Sequence, residues 1–169
     1  GTGGRGVQTL SVLIRKLANK NGYQCEGATF KGGAQKMGTV YSELRIVTSK
    51  DPIIISSQIP KGKANILIGL EPWEALRFAN YCSQETKIIV NTDIELLFIE
   101  RYLTSSISNP IEQLKALFNN PILNNYSALS RELTGSERSA NTLMLRDAIQ
   151  HQLLPFSQTD IETLKEYYE

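Results

Sequence analysis

Apolar residues recur in the first helix-length window at Leu10, Leu13, Ile14 and Leu17, the i, i+3, i+4, i+7 spacing of a helix with one buried stripe. Arg15, Lys16 and Lys20 fall off that stripe. Asn21-Gly22 supplies the stop, because glycine accepts the left-handed conformation that follows a last turn. Tyr23–Ala28 reads as a short strand. From Val40 the period changes to two, with Val40, Ser42, Leu44 and Ile46 on one face and Tyr41, Glu43, Arg45 and Val47 on the other, which predicts a strand with two unlike faces. After the Asp51-Pro52 turn, Ile53–Ile55 reads as the return arm of a hairpin.

Ile66–Leu70 and Lys87–Asn91 are short runs of the kind expected for strands buried on both faces. Between them Glu71-Pro72 opens a helix carrying Trp73, Leu76, Arg77 and Asn80, with proline suited to the first helical turn. Strand, helix, strand in that order predicts parallel pairing with right-handed crossovers. The rest reads as helices: Pro110–Phe118, stopped by Asn119-Asn120-Pro121; Ser127–Leu133, stopped by Gly135; Asn141–Leu154, ended by Pro155; and a last helix capped by Asp160 and running to Tyr168. Glu95–Leu103 fits neither period. The expectation is one α/β domain over residues 1–169 with a helical C-terminal third.

Composition narrows the function classes. Eighteen Lys and Arg against seventeen Asp and Glu give a net charge of +1, which argues against binding nucleic acid by bulk phosphate neutralisation. The longest apolar runs are far too short for a membrane-spanning helix, and the opening residues do not read as a secretory signal. Two cysteines, Cys25 and Cys82, lie far apart in a chain with one histidine, His151. That is neither a disulfide framework nor a zinc signature, and an iron–sulfur cluster held in the usual way needs four thiolates. A reducing, cytoplasmic setting is expected. Both cysteines read as small apolar residues rather than nucleophiles, His151 as a packed or surface residue, and Trp73 as a core or interface anchor. No nucleophile elbow of the G-x-S-x-G type occurs, and no paired carboxylates sit in a glycine-framed loop.

Two glycine-rich stretches carry the candidate chemistry. Gly1-Thr2-Gly3-Gly4-Arg5-Gly6 matches G-x-G-x-x-G in front of a helix, where backbone N–H groups can hold an anion and glycine lets a phosphate approach. Three readings stay open for it: a tight turn without ligand, a phosphate or subunit contact, and a dinucleotide site. The last would call on Glu26, which has the spacing for a ribose hydroxyl but falls in the middle of a strand. A turn of this kind normally follows a buried strand, so a strand is expected to lead into Gly1 and the natural chain to begin earlier. Phe30–Thr39, with Lys31-Gly32-Gly33-Ala34-Gln35-Lys36-Met37-Gly38 at its heart, shows no helical period and reads as a loop that a partner completes.

The order of these segments has a family likeness. Gly3-Gly4-Arg5-Gly6 opens a helix; Lys31 to Val40 runs into a strand ending Glu43-Leu44-Arg45-Ile46. Ile59-Pro60, Ala64-Asn65-Ile66-Leu67-Ile68, Glu71-Pro72-Trp73-Glu74-Ala75-Leu76-Arg77 and Ile89-Val90-Asn91-Thr92 follow. Near the end stand Ala128, Leu133-Thr134-Gly135, Asn141, Leu145 and Leu154-Pro155. The set resembles the gamma-type domain of 2-oxoacid:ferredoxin oxidoreductases, most closely the beta subunit of indolepyruvate ferredoxin oxidoreductase. That resemblance implies a three-layer α/β/α domain with a mixed, mainly parallel sheet. It implies a subunit of an enzyme that converts a 2-oxoacid to acyl-coenzyme A, CO2 and reduced ferredoxin. Thiamine diphosphate and iron–sulfur clusters would sit on partner subunits, one thiamine-binding and one ferredoxin-like, with ferredoxin as electron acceptor. The gamma-type domain would help form the coenzyme A environment, through Gly3, Gly4 and Gly6 in the turn and Gln35, Lys36, Gly38 and Thr39 in the loop.

Two departures stand out. The family usually has Gln-Arg-Gly-Gly where this chain has Gln35-Lys36-Met37-Gly38, and glutamine is common where Arg5 stands. Lysine keeps the charge but loses the bidentate fork, and methionine in place of glycine resists positive φ and close backbone approach. Beside the oxidoreductase subunit, the residues leave room for a stand-alone nucleotide-binding protein and for a structural remnant that stabilises a partner.

Overall fold

In a computed structural model, residues 1–32, 38–49, 56–94 and 109–165 are described. Helix α1 (Val7–Lys20) follows the glycine turn and buries Leu10, Leu13, Ile14, Leu17 and Ala18, the predicted stripe. Strands β1 (Gln24–Lys31) and β2 (Val40–Val47) form an antiparallel pair in register from Gln24 opposite Val47 to Lys31 opposite Val40. β2 keeps the predicted bounds and faces: Leu44 and Ile46 pack on the α1 side. On the opposite face, Glu43 accepts from the Ile59 N–H at 2.6 Å and Arg45 donates to the Gln58 carbonyl at 2.6 Å.

β3 (Ala64–Gly69), β4 (Cys82–Asn91) and β5 (Ile122–Asn124) form a parallel sheet in that order. α2 (Pro72–Arg77) and a 3-10 turn at Ala79–Tyr81 cross from β3 to β4, and α3 (Pro110–Leu117) precedes β5. The helical end comprises α4 (Tyr126–Thr134), α5 (Ala140–Gln150) and α6 (Gln158–Lys165). Side chains alternate across the parallel sheet. Ile66, Ile68, Ile89 and Ile122 join a core with α1, α5 and α6, while Leu67, Ile88, Val90 and Leu123 join one with α2 and α3. Helices therefore cover both faces of the sheet, and the chain is an α/β domain.

Several elements differ from the sequence pattern, each for a local reason. β1 runs on to Lys31, taking Phe30 out of the expected loop, because the Phe30 ring stacks on Tyr41 across the pair at 4.8 Å. The helix begun at Pro72 ends at Arg77 and tightens into the 3-10 turn rather than running through Asn80. β5 is missing from the pattern altogether, since three residues between Pro121 and Asn125 carry no readable period. α5 stops at Gln150, before Pro155. Gln152 takes a positive φ of 55° there, and the Leu153 N–H returns to the Ala148 carbonyl at 2.9 Å, closing the helix. Asp160 is not the cap of α6 but the third residue inside it. Its carboxylate accepts from the Ser157 N–H at 2.8 Å, the acid of a capping box whose first member is Ser157. Ile66, Leu67 and Ile68 are half-buried, unlike Ile88–Asn91 of β4, which are fully buried. Ile53–Ile55 and Glu95–Leu103 lie outside the described residues.

Gly69 ends β3 where α2 folds back on the sheet. A Cβ there would lie 2.7 Å from the Ala75 Cβ and 3.1 Å from Val90. Gly69→Ala is therefore expected to cost about 1–3 kcal/mol by overpacking, read as a lower urea midpoint at unchanged slope. Ala75→Gly should recover part of that loss when combined with it; a strictly additive double variant would show that the close approach is not the cause.

Candidate functional site

The glycine turn sits where the strands of the parallel sheet end. Gly6 is the N-cap of α1 with a φ of +82°, and a Cβ on it would lie 2.5 Å from Asn141 Nδ2. Only glycine meets both demands, the left-handed backbone and the space. Asn141, at the start of α5, donates to the Arg5 carbonyl at 2.7 Å and so pins the turn to the helical layer. No side chain caps α1, and its first turn holds no acidic residue, so the positive end of the helix faces the turn without local neutralisation.

The expected site residues fall in three groups. Gly3, Gly4 and Gly6 form the turn, and Gly38 and Thr39 are brought against it. The Gly3 N–H donates to the Gly38 carbonyl at 2.8 Å, Thr2 bridges Thr39, and Gly1 and Val40 exchange both backbone hydrogen bonds at 2.9 and 2.8 Å. Residues more than thirty positions apart thus become one surface. Gln35 and Lys36 lie outside the described residues.

Polar groups that sequence reasoning did not assemble surround this junction. Arg5 forms an ion pair with Asp93 at 2.7 Å, tying the turn to the segment after β4. Burial alone would push the Asp93 carboxyl up, but the Arg5 hydrogen bond and charge, helped by Ser127, carry it below the ordinary carboxylate value. Asn91, at the end of β4, donates to Ser127 Oγ at 2.9 Å and accepts from the Tyr126 N–H at 3.0 Å, which fixes the start of α4. Glu71 stands two residues beyond the end of β3 and is 1% exposed; its Oε2 accepts from the Glu74 N–H at 2.8 Å and caps α2. Glu74, also buried, accepts from Arg77 Nε at 3.0 Å and from Thr39 Oγ1 at 3.3 Å. The chain does bring a carboxylate pair beside a glycine turn, then, but the pair and the turn come from different segments. The signal was present as a capping pattern, an acid before Pro72 and another three residues on, at the end of an apolar strand. Burial dominates at Glu71 and raises its pKa, against the N–H groups of Glu74 and Trp73 and the charge of Arg5. Among the described residues, Glu71 Oε1, Glu74 Oε2 and Thr2 Oγ1 are buried without a hydrogen-bond partner.

The other candidates lie apart. Glu26 is exposed, the third residue of β1, and faces Arg45 across the antiparallel pair. Cys25 and Cys82 are half-buried, and burial pushes both thiols up, away from the reactive thiolate. His151 is exposed at the end of α5, 3.4 Å from Asp147. Trp73 is half-buried in the first turn of α2. Among the described residues no group of three His, Cys, Asp or Glu is placed to hold a metal ion, and no helix is long and apolar enough to cross a membrane.

A doubly covered α/β domain with a glycine turn and buried polar groups outside the carboxyl ends of its strands belongs to the class of open-sheet folds that place their working surface at that edge. The chain belongs to the pyruvate ferredoxin/flavodoxin oxidoreductase family, whose model matches residues 1–167. It is 38% identical over 92 residues to the indolepyruvate oxidoreductase subunit IorB of Archaeoglobus fulgidus, a match covering 54% of this chain and 43% of that one. The corresponding subunit of Methanothermobacter thermautotrophicus is 34% identical over 94 residues, 56% of this chain and 45% of that one. The matched region thus spans less than half the length of these relatives. The fold is similar to that of a keto/oxoacid ferredoxin oxidoreductase gamma subunit from Geobacter sulfurreducens, with a TM-score of 0.62 and 16% identity over 97% of this chain and 80% of that one. It is equally similar to the pyruvate oxidoreductase subunit PORC from Thermotoga maritima, with a TM-score of 0.62 and 12% identity over 99% and 88%.

The two perturbed carboxylates give opposite pH signatures. A depressed folded pKa at Asp93 contributes stability above the unfolded value of about 3.9 that is lost as pH falls through the folded one. Arg5→Met should therefore lower stability at neutral pH and flatten its decline below about pH 4. A raised folded pKa at Glu71 contributes stability below the unfolded value of about 4.3 that is lost as pH rises through the folded one. Glu71→Gln, which keeps an acceptor for the cap, should raise stability at neutral pH; denaturant titrations at several pH values check both, and unchanged profiles would exclude these groups as the cause.

Proposed function

We propose that this chain is a non-autonomous, cytoplasmic subunit of a thiamine-dependent 2-oxoacid:ferredoxin oxidoreductase acting on an arylpyruvate such as indolepyruvate, or on a pyruvate-like acid. The assembled enzyme would break the carboxyl carbon bond to release CO2, leave the acyl group on the coenzyme A sulfur and pass the electron pair to ferredoxin. The observation that carries this reading is the joining of the glycine turn to Gly38–Thr39 at the strand ends, within a chain of this family. In keeping with the family, iron–sulfur clusters would belong to a ferredoxin-like partner and thiamine diphosphate to a thiamine-binding one; the two cysteines here agree with that, since a cluster held in the usual way needs four. This chain's part is positional. The backbone of Gly3, Gly4 and Gly6 at the uncapped start of α1, with Gly38 and Thr39 beside it, would receive coenzyme A phosphates, with Gln35 and Lys36 as further contacts to the ligand.

Three experiments test this. Affinity purification of the chain from its native host should recover a thiamine-binding and a cysteine-rich partner, whereas the purified chain alone should form no acyl-coenzyme A. Turnover by the isolated chain would overturn the subunit reading. In the reconstituted complex, Lys36→Ala should weaken coenzyme A binding at low salt by roughly ten- to more than a hundredfold, the equivalent of ~1.5–3 kcal/mol for a hydrogen bond to a charged group. High salt should shrink the difference. Parent-like affinity at low salt would remove the loop from the ligand site.

A further inference from the structure

Asn21-Gly22 is the one Asn-Gly pair in the sequence, and it stands where α1 meets α6. Asn21 is the C-cap of α1. Its Nδ2 donates to the Leu17 carbonyl at 2.9 Å and to Asp160 Oδ1, in the first turn of α6, at 3.0 Å. Asp160 is 3% exposed, and its other oxygen accepts from the Ser157 N–H at 2.8 Å and from Ser157 Oγ at 2.9 Å. Burial alone would push this carboxyl up, but the Ser157 N–H, the Asn21 amide, the Ser157 hydroxyl and the charge of Lys20 carry it below the ordinary carboxylate value. Asn21 is thus a donor to a buried carboxylate, and that bond clasps α6 to α1. Behind the clasp, Ile161 and Leu164 enter the core that α1 and α5 share.

The residue after Asn21 decides its chemistry. Gly22 ends α1 in the left-handed region with a φ of +71°; its N–H returns to the Asn19 carbonyl at 3.0 Å, and the Tyr23 N–H to the Ala18 carbonyl at 2.9 Å. The helix stop favours glycine, and glycine leaves its own nitrogen without a side chain to shield it. That nitrogen is the one able to close a ring on the Asn21 side chain. We propose that Asn21 is a self-modification site whose conversion to an acid unlatches α6. The Gly22 nitrogen gives its proton to solvent and bonds to Asn21 Cγ; the Cγ–Nδ2 bond breaks, and Nδ2 leaves as ammonia with a proton from water. Water then opens the cyclic imide, adding hydroxyl to one carbonyl and hydrogen to the nitrogen, and aspartate or its β-linked isomer replaces asparagine. Nothing is oxidised or reduced, and water is the co-reactant. The clasp acts on both sides of this reaction. While it is closed, the attacking nitrogen is engaged with Asn19 and the departing amide with two acceptors, so ring closure waits for a local opening. After conversion a carboxylate stands where the donor stood, 3.0 Å from Asp160, and like charges face each other at a buried position. Lys20, half exposed and 4.0 Å from Asp160, is a screened cation facing two acids. The opening that admits the reaction is made permanent by it.

The test ages the folded chain at mildly alkaline pH and follows every asparagine by peptide mass. Asn21 should convert ahead of the others, with the β-linked product present, and more slowly than in the urea-unfolded chain by roughly tenfold or more. Gly22→Asn tolerates the left-handed stop and has open space for its side chain, and it should slow conversion at Asn21 further. Conversion first at another asparagine, or equal rates in the folded and unfolded chain, would overturn the assignment of the site. The consequence is read on Asn21→Asp. It should lower the folding equilibrium constant by roughly ten- to a hundredfold, as loss of a hydrogen bond to a charged group does. Amide exchange at Leu164 of α6 should speed by roughly tenfold or more while Ala75 of α2 keeps its rate. Asn21→Asp combined with Asp160→Asn interchanges donor and acceptor, leaves an oxygen for the Ser157 N–H, and should recover most of the loss. The double variant also decides the matter if Asn21→Asp alone does not fold. Parent-like stability of Asn21→Asp, or no recovery in the double variant, would overturn the unlatching.

Discussion

The burial of β4 on both faces is the constraint from which the rest of the domain follows. Ile89 points into the core built on α1 and α5, while Ile88 and Val90 point into the one built on α2 and α3. A strand with apolar side chains on both faces needs a helical layer on each, and the chain supplies them by placing a helix or a helical pair between strands. Gly69 is a consequence of the same constraint, for α2 reaches the sheet only where a neighbouring strand lacks a side chain. The end of β4 is fixed as well, and Asn91 converts that fixed point into polar geometry by holding the start of α4 through Tyr126 and Ser127.

The junction at the strand ends inherits this rigidity. Arg5 and Asp93 join the glycine turn to the segment after β4, and Asn141 joins the turn to α5, so its position is set from two layers at once. Thr39 is held by a carboxylate of α2. The electrostatics are mixed in sign by design of the fold rather than by composition: an uncapped helix start and an arginine lie near two buried carboxylates. Net charge says nothing about such a site, because the carboxylates are confined by burial and the cation is already engaged. A surface of this kind suits a group that brings its own hydrogen-bonding complement, as a partner subunit or a ligand with donors and acceptors on one edge does.

Much of this was legible in the chain because its cause is local. The stripe of α1 and the alternation of β2 follow from burial of one face, and both elements have the predicted placement. The likeness in segment order pointed to the family before any contact was known. What escaped the pattern depends on distant partners. β5 has three residues and exists because β4 offers an edge. The carboxylates of Glu71 and Glu74 look like helix-capping acids in sequence, and only the approach of Thr39 and the turn makes them a buried pair. The end of α5 is hidden in the sequence because Pro155 is a visible stop, whereas a left-handed glutamine at Gln152 is not.

The strand order also decides between readings of the glycine turn. A dinucleotide crossover requires the strand after the first helix to lie parallel and next to the strand that enters the turn, so that its end can present an acid to the ribose. Here β1 follows α1 but pairs antiparallel with β2, and it is β2 that lies beside Gly1. The strand carrying Glu26 is therefore displaced by one position from the turn, and its acid faces Arg45. Gly6 has another reason visible in the geometry, since its left-handed backbone admits the Asn141 side chain, while the Gly3 N–H holds the Gly38 carbonyl. A turn used to bring a second loop into register is a positioning device, and the Gly3–Gly38 and Thr2–Thr39 pairings give it that character.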